Sequence, residues 1–171
     1  MGGLDLFGCL WLFFVYSFFG WIAETCCCVL KYRKFMNRGM LNSPLCIVYG
    51  ISAVIITIGF PELFDEIPIL FLGCAGVSTL LEWFTAKILE KLDHKKWWDY
   101  SSKRWNLDGY ICLQYSIVWG ILGVLSVKFV TPVLMKLYHM VPSFMMQIAL
   151  WALLGVLIVD ILGSTYIIRG S

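Results

Sequence analysis

The chain has 171 residues, 60% of them hydrophobic and only 14% charged, with a formal net charge of +2 and a mean hydropathy of +0.83. A globular domain carries about 25% charge, so this composition excludes an ordinary soluble fold, and the charge is too small for a nucleic-acid partner. Eight Trp, eight Tyr and twelve Phe fit a membrane protein with aromatic belts at both interfaces.

Five apolar stretches long enough, or nearly so, to cross a core of about 30 Å run approximately over residues 6–30, 44–60, 67–88, 110–130 and 144–168. The expected fold is all-α, one polytopic transmembrane helical domain over residues 1–171. The first stretch lacks a basic leader and contains Glu24, so it reads as a retained span rather than a cleaved signal. The second is the shortest and is punctuated by Gly50 and Gly59. Alternating spans would place Lys31, Arg33, Lys34, Arg38, Lys87, Lys91, Lys95, Lys96, Lys103, Arg104 and Arg169 on one side. Only Lys128 and Lys136 fall on the other. The positive-inside rule therefore predicts an outer amino terminus and a cytoplasmic carboxyl terminus, in a cell (inner) membrane.

Seven cysteines, an odd number without a CxxC, do not read as a disulfide framework, and the run Cys26-Cys27-Cys28 reads as small apolar packing residues. Glu24, Glu82 and Asp160 stand inside lipid-spanning segments, where a carboxylate costs roughly 3 kcal/mol on insertion scales. All three are expected in the cytoplasmic half of the bilayer, forming a polar pocket with Tyr49 and Tyr115 from the returning helices. The cytoplasmic loops add Asn37, Arg38, Asp99, Tyr100 and Asn106 as candidate binding residues. Asn37-Arg38-Gly39 offers a guanidinium and backbone N–H groups to an anion. Asp160 has fewer polar companions on its helix and is read as part of a packing face, held by a basic or hydroxyl partner. A loose repeat relates Glu24, Cys46 and Tyr49-Gly50 to Glu82, Cys112 and Trp119-Gly120. Such copies would be parallel two-helix units with one extra helix.

Several stretches resemble the small membrane proteins called putative ABC-transporter type IV, or CmpB-like. They are residues 16–24, Asn37-Arg38-Gly39, residues 44–50, Glu82-Trp83-Phe84-Thr85, Trp97-Trp98-Asp99-Tyr100-Ser101 and residues 106–113. That resemblance implies a permease-like role. No GxxxxGK[ST] is present, so an ATPase would be a separate chain, and no cofactor or metal motif stands out. Expected partners are membrane lipids, with a homo-oligomer or a separate subunit. Three readings stay open: a permease-like or substrate-binding component, a membrane-embedded enzyme acting on a lipid or isoprenoid phosphate, and a structural or regulatory subunit.

Overall fold

A computed structural model describes residues 4–33, 41–61 and 65–170. The helices are α1 (Leu6–Tyr32), α2 (Ile47–Gly59), α3 (Ile67–Asp93), α4 (Leu113–Leu125), α5 (Thr131–Met140) and α6 (Ser143–Gly170). Two short strands, β1 (Asn106–Leu107) and β2 (Ile111–Cys112), precede α4. Four helical segments are long and apolar enough to cross a membrane: Leu6–Leu30, Ile67–Asp93, Leu113–Met140 and Ser143–Tyr166. The fold is thus an all-α set of transmembrane helices. Helix α2 is the short member. Its 13 residues reach about 20 Å at 1.5 Å per residue.

The helix ends follow from local chemistry. Asp5 caps α1 by accepting a 2.8 Å hydrogen bond from the Gly8 N–H. Arg33 and His94 close α1 and α3 in the left-handed region, at φ 53° and 54°, each donating its N–H to the carbonyl four residues back. Helix α3 runs past Ile88 through Glu90, Lys91 and Asp93, so its last turn lies beyond the apolar stretch.

The expected break near Val130 does not occur. Helix α4 continues through a π-helical turn (Ser126–Val130) into α5. Pro132 explains the turn. It lacks an N–H, and its ring crowds the carbonyl of Lys128; widening the preceding turn relieves that crowding. The Thr131 N–H bonds the Ser126 carbonyl, five residues back. Lys128 sits in this turn, 3.4 Å from Asp65.

The chain divides into two compact units, residues 1–54 with 133–171, and residues 55–132. In the first unit, Phe14, Leu41, Met146, Leu150 and Leu157 form one apolar cluster, and Leu12, Tyr16 and Leu134 another. The Trp11 indole N–H donates to the Leu134 carbonyl at 2.9 Å. In the second unit Ile56, Leu70, Cys74 and Val127 pack together. Close helix approach depends on glycine. A Cβ on Gly120 would lie 2.5 Å from the Phe71 ring, and one on Gly123 2.5 Å from Cys74 Cβ. Small residues at such crossings are the usual basis of helix association in lipid.

The hairpin turns at Asp108-Gly109, whose φ values of 55° and 75° are both positive. The three-residue connection 108–110 between the paired Leu107 and Ile111 needs left-handed backbone, which Asp and Gly tolerate. The Tyr110 N–H donates to the Leu107 carbonyl at 3.0 Å. A Cβ on Gly109 would stand 2.5 Å from both Asp99 Oδ1 and Ser101 Oγ. Gly109→Ala is therefore expected to cost about 2 kcal/mol, from left-handed strain and this collision. Faster amide exchange at Tyr100 and Tyr110 would report it.

Candidate functional site

In the second unit the Glu82 carboxylate, on α3, is held from two directions. Tyr100 donates its hydroxyl to Oε1 at 3.1 Å, and Trp119, on α4, donates its indole N–H to Oε2 at 3.0 Å. Tyr115 stacks on Tyr100, ring centroids 4.7 Å apart and tilted by 30°. One helical turn or so away on the same two helices, Thr79 donates to Ser116 at 2.8 Å, and Ser116 donates to the Cys112 carbonyl at 3.2 Å. Helices α3 and α4 thus meet along a polar line embedded in apolar surface. A half-buried carboxylate is tolerated there because its oxygens accept from fixed donors.

The loop that delivers Tyr100 is built, not slack. Tyr100 donates its N–H to the Gly109 carbonyl at 2.8 Å. Asn106 donates its amide to the Lys103 carbonyl at 2.8 Å and accepts from the Gly109 N–H at 3.1 Å. Asp99 accepts from the Ser101 N–H and hydroxyl, at 2.9 and 2.5 Å. Trp98 ties the loop to the hairpin through a 2.9 Å bond to the Tyr110 carbonyl. Tyr110 is 6% exposed and donates its hydroxyl to Glu90. The ammonium groups of Lys87 and Lys96 lie 4.4 and 4.5 Å from its ring centroid.

The Ser101 hydroxyl, then its N–H, hold the Asp99 carboxyl below its usual value of 3.8. A lowered acid contributes stability that is present above its unfolded value and lost as pH falls through the folded one. Acidification below about pH 4 is therefore expected to loosen this loop first, which proteolysis between residues 99 and 106 would detect. Asp99→Asn should shift that transition.

In the first unit Glu24 accepts from the Tyr49 hydroxyl at 2.8 Å. Asp160, on α6, is held by the residues that enter α2. Its Oδ1 accepts from the Asn42 N–H at 3.1 Å, from the Asn42 amide at 3.2 Å and from Ser164 at 3.2 Å. Its Oδ2 accepts from the Ser43 N–H at 2.8 Å. Asp160 acts here as an anchor for the α1–α2 loop.

Of the sequence candidates, the structure gathers Glu82, Tyr100 and Tyr115 together, and pairs Glu24 with Tyr49. Asp99 and Asn106 spend their bonds on the loop that positions Tyr100. Asn37 and Arg38 lie outside the described residues. Trp119 was missed as a site residue, although Cys112, Ser116, Trp119, Gly120 and Gly123 share one helical face. The Asn42–Ser43 clasp was missed as well, although Asn-Ser-Pro is a turn signal. Among the described residues no group of His, Cys, Asp and Glu could hold a metal ion, and all seven cysteines are free thiols.

Residues 11–165 match the family model described as "Putative ABC-transporter type IV". The chain belongs to this family. With four helices able to cross a membrane, this ABC-transporter type IV member is a multi-pass membrane protein. No curated protein and no solved structure matched the chain.

Proposed function

We propose that this ABC-transporter type IV member is a permease-like or substrate-binding membrane component whose Glu82 site takes the ammonium group of a small substrate or lipid headgroup. The observation that carries this reading is the Glu82 carboxylate held between Tyr100 and Trp119, with Tyr115 stacked beside them. A carboxylate next to aromatic faces is the chemistry that recognises ammonium cations, through Coulomb attraction and cation–π contact together. The fixed donors hold the carboxylate in place, so little ordering remains to oppose binding.

The basic loops set the orientation of this component, with the amino terminus outside and the Tyr100 loop on the cytoplasmic face of an inner membrane. An eleven-to-two split of Lys and Arg requires α2 to reverse the chain across the bilayer despite its 13 residues. At the entry to α2 the Asp160 carboxylate accepts the Asn42 and Ser43 N–H groups, so those backbone donors do not face lipid unpaired.

Cells expressing the chain should accumulate labelled methylammonium or choline above empty-vector cells. Glu82→Gln should abolish that uptake while the protein stays inserted and folded, because the neutral amide keeps the shape and loses the charge. Uptake equal in Gln variant and wild type, or no uptake by wild type, would overturn the proposal.

A further inference from the structure

The pairs α1–α2 and α3–α4 share several contacts at matching positions. In the first, Gly50 faces Phe13, and Tyr49 donates to Glu24. In the second, Gly120 faces Phe71, and Trp119 donates to Glu82. Phe13 and Glu24 stand 58 positions before Phe71 and Glu82; Tyr49 and Gly50 stand 70 positions before Trp119 and Gly120. The same offset of 58 pairs Leu12 with Leu70, both 0% exposed, and buried Cys28 with buried Ala86. It also pairs Tyr16, clustered near Ala53, with Cys74, which faces Gly123; Ala53 and Gly123 again differ by 70. The residue after each acid, Thr25 and Trp83, keeps a buried hydroxyl or indole N–H without a partner. The change of offset from 58 to 70 falls in the connecting loop, where the second unit carries its hairpin. Cys46 and Cys112 do not fall in this register.

We propose that α1–α2 and α3–α4 are copies of one helix-pair module, and that Glu24 and Glu82 are equivalent sites for the same ammonium chemistry. The inference rests on the ammonium reading of Glu82 and extends it to a second site. Each copy then has one carboxylate, one aromatic donor from the following helix, and one glycine that brings the two helices together. Tyr49 is the functional counterpart of Trp119. The extra donor at Glu82, Tyr100, comes from the longer second loop and makes the copies unequal in detail.

The test labels the full chain in lipid nanodiscs with a hydrophobic carbodiimide and locates the adducts by peptide mass spectrometry. Both glutamates should be labelled, and methylammonium should slow labelling at both. Tyr49→Phe should speed labelling at Glu24 alone and Trp119→Phe at Glu82 alone, each by about tenfold, because a charge-assisted donor leaves the oxygen. The donor exchange Tyr49→Trp with Trp119→Tyr should keep both rates near wild type. Asp160, held by four donors, serves as the slow internal control. Protection at Glu82 without protection or donor response at Glu24 would overturn the duplication while leaving the Glu82 site standing. Absence of methylammonium protection at both would overturn the two proposals together.

Discussion

Asp160→Ala is expected to lower the stability of the folded protein by about 3 kcal/mol, the largest loss from any single polar group here. Two opposing effects meet at this position. Removing a carboxylate from a lipid-spanning helix is favourable on its own, by roughly 3 kcal/mol on insertion scales. That saving applies to an unpaired acid. Asp160 accepts from the Asn42 N–H, the Asn42 amide, the Ser43 N–H and Ser164, so truncation takes the acceptor from two backbone N–H groups and the Ser164 hydroxyl, while the Asn42 amide keeps its 3.0 Å bond to Ser164. Each orphaned group costs about 1–3 kcal/mol when it cannot reach water, and the sum outweighs the saving. Asp160→Asn keeps one acceptor oxygen and should lose roughly half as much. Unfolding midpoints in mixed micelles would measure both, and amide exchange at Asn42 and Ser43 should rise before global unfolding does.

Gly50→Val is the second large effect. A Cβ there would fall 2.3 Å from Ser17 Oγ and 2.4 Å from the Phe13 carbonyl oxygen. The hydroxyl could rotate away, but the carbonyl belongs to the backbone of α1 and cannot yield without moving that helix. Overpacking of this kind costs about 1–3 kcal/mol even in adaptable cores, and a β-branched side chain belongs at the upper end. Because Tyr49 is the adjacent residue and donates to Glu24, separation of α1 from α2 should also break that bond. Gly76→Ala is the matched control. No atom lies within 4 Å of its added Cβ, so the helix gains up to about 1 kcal/mol from alanine's propensity. Thermal unfolding in nanodiscs should therefore move in opposite directions for the two variants.

Much of this was legible in the sequence, for reasons that can be traced to particular residues. Hydropathy and length locate α1, α3 and α6 to within a turn or so, because runs of 20 or more apolar residues have few other stable uses. The far end of α4 was not legible. Pro132 normally ends a helix, and only the π-helical turn over 126–130 lets α5 continue past it. The turn at Asp108-Gly109 was legible in principle, because Asp-Gly is a turn dipeptide, but it lies in a charged segment that reads as loop.

The candidate site divides along the same line. Glu82 and Glu24 stand out because a carboxylate in an apolar run has few inexpensive explanations. Their donors come from other elements, and sequence spacing relates residues within one helix only. Asp99 and Asn106 looked like binding residues because polar side chains in an interfacial loop resemble ligand contacts. In the structure Asp99 accepts from Ser101, and Asn106 bonds Lys103 and Gly109. The repeat was visible only loosely, since its exact register is carried by Phe13 with Gly50 and Phe71 with Gly120, contacts between helices that no linear spacing displays.

Native mass spectrometry of the intact chain released from nanodiscs, wild type against the Glu24→Gln/Glu82→Gln variant, tests the ammonium site most directly. The account predicts an ammonium-bearing ligand retained by the wild type and lost from the double variant, with bulk lipids unchanged. The same bound species at the same occupancy on both proteins would contradict it.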